Sequence, residues 1–104
     1  MIKSLDVIEV KKRVLDEKIV LLDVREKYEL EIAKVKNCIH IPMMEIPKRF
    51  NELNLSDDIA VICHSGVRSA QVCSFLENKG FSVFNVAGGI DMWSVKIDSN
   101  IQRY

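Results

Sequence analysis

Ile59-Ala60-Val61-Ile62-Cys63-His64-Ser65-Gly66-Val67-Arg68-Ser69 is the stretch on which the fold of this chain turns. Its first four residues are apolar without a break, the pattern of a strand buried on both faces of a parallel sheet. A helical pattern follows from Ala70 to Lys79, with Val72, Phe75 and Leu76 spaced for burial. Strand, glycine-containing loop and helix start together place the Cys63 sulfur above a ring of backbone N–H groups. Those donors and the positive end of the helix dipole stabilise an anion. A thiol in that position ionises more readily than a free cysteine, whose pKa is about 8.5. His64 and Arg68 add positive charge or donors, and His64, Ser65, Gly66, Val67 and Ser69 form the walls of the cradle. Cysteine closing an apolar strand is often only core. Packing alone, however, asks for neither Gly66 nor Arg68 at these offsets.

Working toward the amino terminus, Asn54 to Asp58 is a polar turn, and Met43 to Leu53 reads as a helix buried along Ile46, Phe50 and Leu53. Pro47 marks its first turn, and Met43 and Met44 are packing. Cys38 to Ile41 is a short strand closed by Pro42, on which His40 is a satisfied histidine and not a catalyst. Tyr28 to Ile32 is a short helix whose Lys and Glu residues form a solvated face. Ile19 to Leu22 is a second buried strand ending in Asp23-Val24-Arg25-Glu26. Polar residues at the carboxyl end of a parallel strand lie where open α/β sheets place their sites. Asp23 and Arg25 are read there as an ion pair or loop brace that supports the active loop without reacting. Before it, Asp6 with Glu9 makes a capping-box-like start to a helix whose face is Val7, Val10, Val14 and Leu15. Ile2 to Leu5 suits a short edge strand.

Toward the carboxyl terminus, Gly80 caps the helix after the loop, and Phe81 to Val86 is the last strand. Ala87-Gly88-Gly89 is a turn, and Ile90, Met92 and Trp93 point to a short helix packing back on the sheet. Residues 96–104 lack periodicity and suggest a mobile tail. Alternating strands and helices give one α/β domain over 1–104, with a mainly parallel, roughly five-stranded sheet and helices on both faces.

The 104 residues suit a single domain, and 15 basic against 15 acidic residues leave no net field to draw nucleic acid or an anionic membrane. No apolar run approaches the ~20 residues that span a bilayer. The opening residues lack an apolar signal segment, so a reducing cytoplasm is the expected location. Cys38, Cys63 and Cys73 show no C-x-x-C spacing, which points away from a zinc knuckle or a dithiol pair. Cys38 and Cys73 are expected to be inert core thiols.

Four blocks in order resemble the single-domain rhodaneses, a sulfurtransferase family. They are Leu22-Asp23-Val24-Arg25-Glu26, Ile39-His40-Ile41-Pro42, the Cys63–Ser69 loop, and Gly88-Gly89-Ile90-Asp91-Met92-Trp93. Ala33-Lys34 and Asn37-Cys38 stand where the family usually has Gly-His and Gly-Ala, a departure confined to one turn. The resemblance implies that the Cys63 thiolate takes the outer sulfur of a donor such as thiosulfate, forming a persulfide. A thiol, cyanide or a partner protein then accepts that sulfur. It further implies that Arg68 grips the anionic end of the donor, and that no metal or organic cofactor takes part; the residues leave open a second role for Arg68, an ion pair that braces the loop.

Cysteine phosphatases of the cell-cycle type and some arsenate reductases also pair Cys and Arg around an anion, with five residues between them. Here four intervene, His64 to Val67, and a smaller bowl suits a single sulfur atom better. A module that carries persulfide for a docked partner is the other reading.

Overall fold

The computed structural model describes residues 2–104. Its elements are β1 (Ser4–Leu5), α1 (Val7–Leu15), β2 (Val20–Asp23), α2 (Lys27–Ile32), β3 (Ile39–His40), α3 (Ile46–Arg49), β4 (Asp58–Ile62), α4 (Val67–Asn78), β5 (Ser82–Val86) and α5 (Gly89–Lys96). The five strands form one parallel sheet in the order β1-β5-β4-β2-β3. β4, the most apolar strand, therefore lies at the centre, and both edges are strands of only two residues.

Alternation along β4 divides the core. Ile59 and Val61 face one layer with Ile46, Val72, Cys73 and Leu76, so α3 and α4 cover that side. Ala60 and Ile62 face the other with Val7, Val10, Ile90 and Trp93, so α1 and α5 cover the opposite side. Each fully buried aliphatic side chain contributes about 1.5–3 kcal/mol, and four consecutive β4 residues are at most 1% exposed. This strand anchors everything that follows it.

Register sets the level of the site. Leu22 pairs with Val61 and Ile39, while Asp23 lies beside Ile62 and His40. Asp23, Ile62 and His40 thus end at one height, and Cys63 is the next residue up the central strand.

Three sequence expectations change. Leu15 is 69% exposed: Val7, Val10 and Val14 already define the buried stripe, and Leu15 lies about 100° round from Val14 where the helix ends. The expected helix from Met43 to Leu53 is broken into a 3₁₀ turn at Met43–Glu45, the short α3, and a second 3₁₀ turn at Phe50–Glu52. Proline 47 has no N–H to give the Met43 carbonyl, and the Ile46 N–H takes that carbonyl instead. Residues 96–104, expected as a mobile tail, lie against the body, with Lys96 the last residue of α5. Ile97 and Ile101 pack on the Trp93 cluster, the Ser94 hydroxyl donates to the Ile101 carbonyl, and Arg103 pairs with Asp91.

Candidate active site

The β4–α4 connection begins at Cys63 and turns at Gly66, whose φ of +114° is a left-handed conformation suited to glycine. That turn aims the loop's amides at the sulfur. Gly66 N–H donates to Cys63 Sγ at 3.1 Å, and the Ser69 hydroxyl lies 3.3 Å from it. Burial pushes the Cys63 pKa up, but the Ser69 hydroxyl and the amides of Ser69, Gly66 and Ser65 push it down harder, and the net shift is downward. The residue is only 1% exposed. Its sulfur is therefore an enclosed but anion-stabilised thiol at the floor of the loop.

The other two cysteines differ. Cys73 is fully buried without such donors, and burial pushes its thiol to about 12. Cys38 is half-buried, donates to the Val35 carbonyl at 3.2 Å, and is also shifted upward, chiefly by burial.

A polar residue in the last strand fixes the loop. Asn85 Nδ2 donates to the Gly66 carbonyl at 3.0 Å, and Asn85 Oδ1 accepts from the Ser69 hydroxyl. Ser69 has a single hydroxyl proton. With a neutral thiol it goes to Asn85, and on ionisation it can turn to sulfur. Sequence reasoning passed over Asn85, although a polar side chain one residue from the end of an apolar strand was the available signal.

A second clamp comes from the β5–α5 turn. The Ile90 and Asp91 N–H groups donate to the Cys63 and His64 carbonyls at 2.9 and 3.2 Å. Gly89 permits this approach: a Cβ there would sit 2.5 Å from both carbonyl oxygens, and its φ is +58°.

Arg68 takes the ion-paired arrangement, the second of its two readings. Its Nη1 and Nη2 donate to Glu29 Oε1 and Oε2 at 2.6 and 2.8 Å, so the fork expected to grip a donor is filled by this chain's own carboxylate. Glu29 is 3% exposed, which corrects the reading of its helix as carrying only solvated charges. It also accepts from the Glu26 N–H at 3.0 Å and from the Tyr104 hydroxyl at 2.7 Å. The Arg68 guanidinium, opposed by burial and helped by the other two donors, lowers the Glu29 pKa to about 2. Its position three residues after Glu26, where a capping side chain turns back to the helix start, was the missed signal.

Asp23 and Arg25 form a fully buried pair, Nη2 to Oδ2 at 2.8 Å and Nε to Oδ1 at 3.0 Å. Arg25 also donates to the Ala33 carbonyl at 2.7 Å and to the Tyr104 hydroxyl at 2.9 Å. The pair braces α2 and the tail, and it reaches the active loop through Glu29 and through Tyr104. His40 Nε2 donates to the Arg25 carbonyl at 2.7 Å and does not act at the loop. His64 stacks on Tyr104, ring centres 4.1 Å apart and 11° from parallel. Ser65 and Val67 are exposed on the rim.

The Rhodanese-like domain family matches residues 6–96. The chain belongs to that family. Among solved structures it is similar to a rhodanese-related protein of Thermoplasma volcanium, with 32% identity, TM-score 0.86, and 91% of this chain and 93% of that one covered. A rhodanese-like domain protein of Staphylococcus aureus gives 33% identity and TM-score 0.85 over 99% of both chains. Among curated relatives, a sulfurtransferase of Allochromatium vinosum is 32% identical over 90% of each chain. The putative sulfur carrier protein YrkF of Bacillus subtilis is 44% identical over 80% of this chain, which spans 45% of that protein's length. The rhodanese-like fold thus places Cys63 at the carboxyl end of the central strand.

Proposed function

We propose that this rhodanese-like chain is a sulfurtransferase that moves sulfane sulfur through a persulfide on Cys63. The observation that carries the reading is the Cys63 sulfur itself, hydrogen-bonded by Gly66 N–H and Ser69 and lowered in pKa. The thiolate attacks the outer sulfur of a donor, the donor's inner group leaves with the bonding pair, and Cys63 retains a terminal sulfur bearing negative charge. The loop amides stabilise that charge as they stabilise the thiolate. An acceptor nucleophile, a thiol or cyanide, then removes the sulfur and restores Cys63, a double displacement. The cycle calls for no metal and no organic cofactor.

Two features favour sulfur transfer over phosphate or arsenate chemistry. The loop has four residues between Cys63 and Arg68, and the Arg68 fork already holds a carboxylate. Arg68 accordingly serves in this proposal as a brace for the loop. YrkF's name as a sulfur carrier supports a version in which the acceptor is a protein.

Exposure to a sulfane-sulfur donor followed by intact-mass spectrometry tests the proposal. One sulfur, about 32 Da, adds to the protein by covalent catalysis at the nucleophilic cysteine. Cys63→Ser takes no adduct, Cys73→Ser still takes one, and cyanide discharges it. A label that maps to Cys38 or Cys73, or aryl-phosphate turnover faster than sulfur transfer, overturns it.

A further inference from the structure

Charge at the site is internally balanced. Asp23 faces Arg25 and Glu29 faces Arg68, both as close ion pairs. The Glu29 carboxylate has four hydrogen bonds: two from Arg68, one from Tyr104 and one from the Glu26 amide. It is almost fully buried. A carboxylate so held cannot swing aside without leaving several charge-assisted bonds unmade. A donor anion approaching Cys63 therefore meets a thiolate and, in Arg68, a guanidinium that is one-third exposed but whose charge Glu29 already balances. The loop amides remain, and they are committed to the sulfur.

We propose, building on the sulfurtransferase reading, that Glu29 sets donor specificity, and that the preferred donors are organic persulfides in place of thiosulfate. In the favoured reaction the Cys63 thiolate attacks the outer sulfur of R–S–SH, the donor S–S bond breaks, and the departing thiolate takes the donor's own proton to leave as R–SH. Cys63 is left as Cys63–S–S⁻, so the donor brings no charge and the site holds one negative charge before and after the step. With thiosulfate the same step brings a dianion to a thiolate and releases a dianionic sulfite, which needs the cation that Glu29 occupies.

The test compares the rate of Cys63 loading from 2-hydroxyethyl persulfide, which carries no other charge, with that from thiosulfate, read by intact mass with Cys63→Ser as blank. Wild type is expected to load from the persulfide with the higher kcat/KM. Glu29→Gln frees Arg68 and is expected to raise the thiosulfate-to-persulfide ratio roughly tenfold or more, the order of one charge-assisted pair. Should Glu29→Gln fail to fold, Tyr104→Phe, which removes one of the four bonds, is expected to move the ratio in the same direction by less. Thiosulfate loading at or above the persulfide rate in wild type, or a ratio that neither variant moves, overturns this specificity while leaving sulfur transfer standing. Loading from neither donor overturns the sulfurtransferase reading itself.

Discussion

At the scale of single residues, the reactive sulfur depends on a contest between burial and hydrogen bonding that the loop wins. Because the net shift at Cys63 is downward, its thiolate fraction exceeds that of an ordinary cysteine at the same pH. Iodoacetamide labelling of Cys63 against pH is expected to inflect below the ordinary value of about 8.5. Ser69→Ala removes the hydroxyl bond, and its inflection is expected to move up. A profile indifferent to Ser69 would show that the backbone amides alone set the thiol. The sequence displayed Cys63, Gly66 and Arg68 openly, since their spacing makes no sense as packing. Glu29 and Asn85 stayed hidden because their partners lie 39 and 16 residues away in the chain. No local periodicity encodes such a contact.

Elements carry the next level. β2 ends in a carboxylate that holds a wholly buried guanidinium, and that guanidinium in turn ties the end of α2 by the Ala33 carbonyl. Asp23→Ala leaves Arg25 charged and unpaired inside the protein, and is expected to lower stability by about 3–5 kcal/mol in urea unfolding. The double variant Asp23→Leu with Arg25→Met is expected to lose less than Asp23→Ala, because no charge is then stranded. Equal losses would mean that the pair's hydrogen bonds to α2 and the tail matter more than its charge. The buried strands were legible because unbroken apolar runs leave few alternatives in an α/β chain. The segment from Met43 to Leu53 was misread because its apolar spacing fits a helix, while the missing N–H of Pro47 forbids a continuous one.

For the whole molecule, the sheet order brings the carboxyl ends of β2, β4 and β5 together, and the tail returns across them. Tyr104 joins Arg25, Glu29 and His64, residues from two different loops and one helix. Trp93, the single tryptophan, is 2% exposed and lies in the cluster that Ile97 and Ile101 cover. Truncation after Lys96 is expected to shift its fluorescence to longer wavelength and to lower the melting temperature. Unchanged emission would mean that the tail adds nothing to the packing around the indole. This docking was illegible in advance because two isoleucines four residues apart, followed by a polar end, carry too little pattern to announce a partner.

The grip of residues 90 and 91 on the carbonyls of 63 and 64 has a consequence for turnover. Peptide planes pinned from behind are unable to rotate an oxygen toward the guest, so the lining stays attractive to negative charge whether or not a second sulfur is aboard. Loading and unloading then require no rearrangement of the main chain at those two units. The lone hydrogen at position 89 is what allows that pinning, from a turn that never meets the cargo.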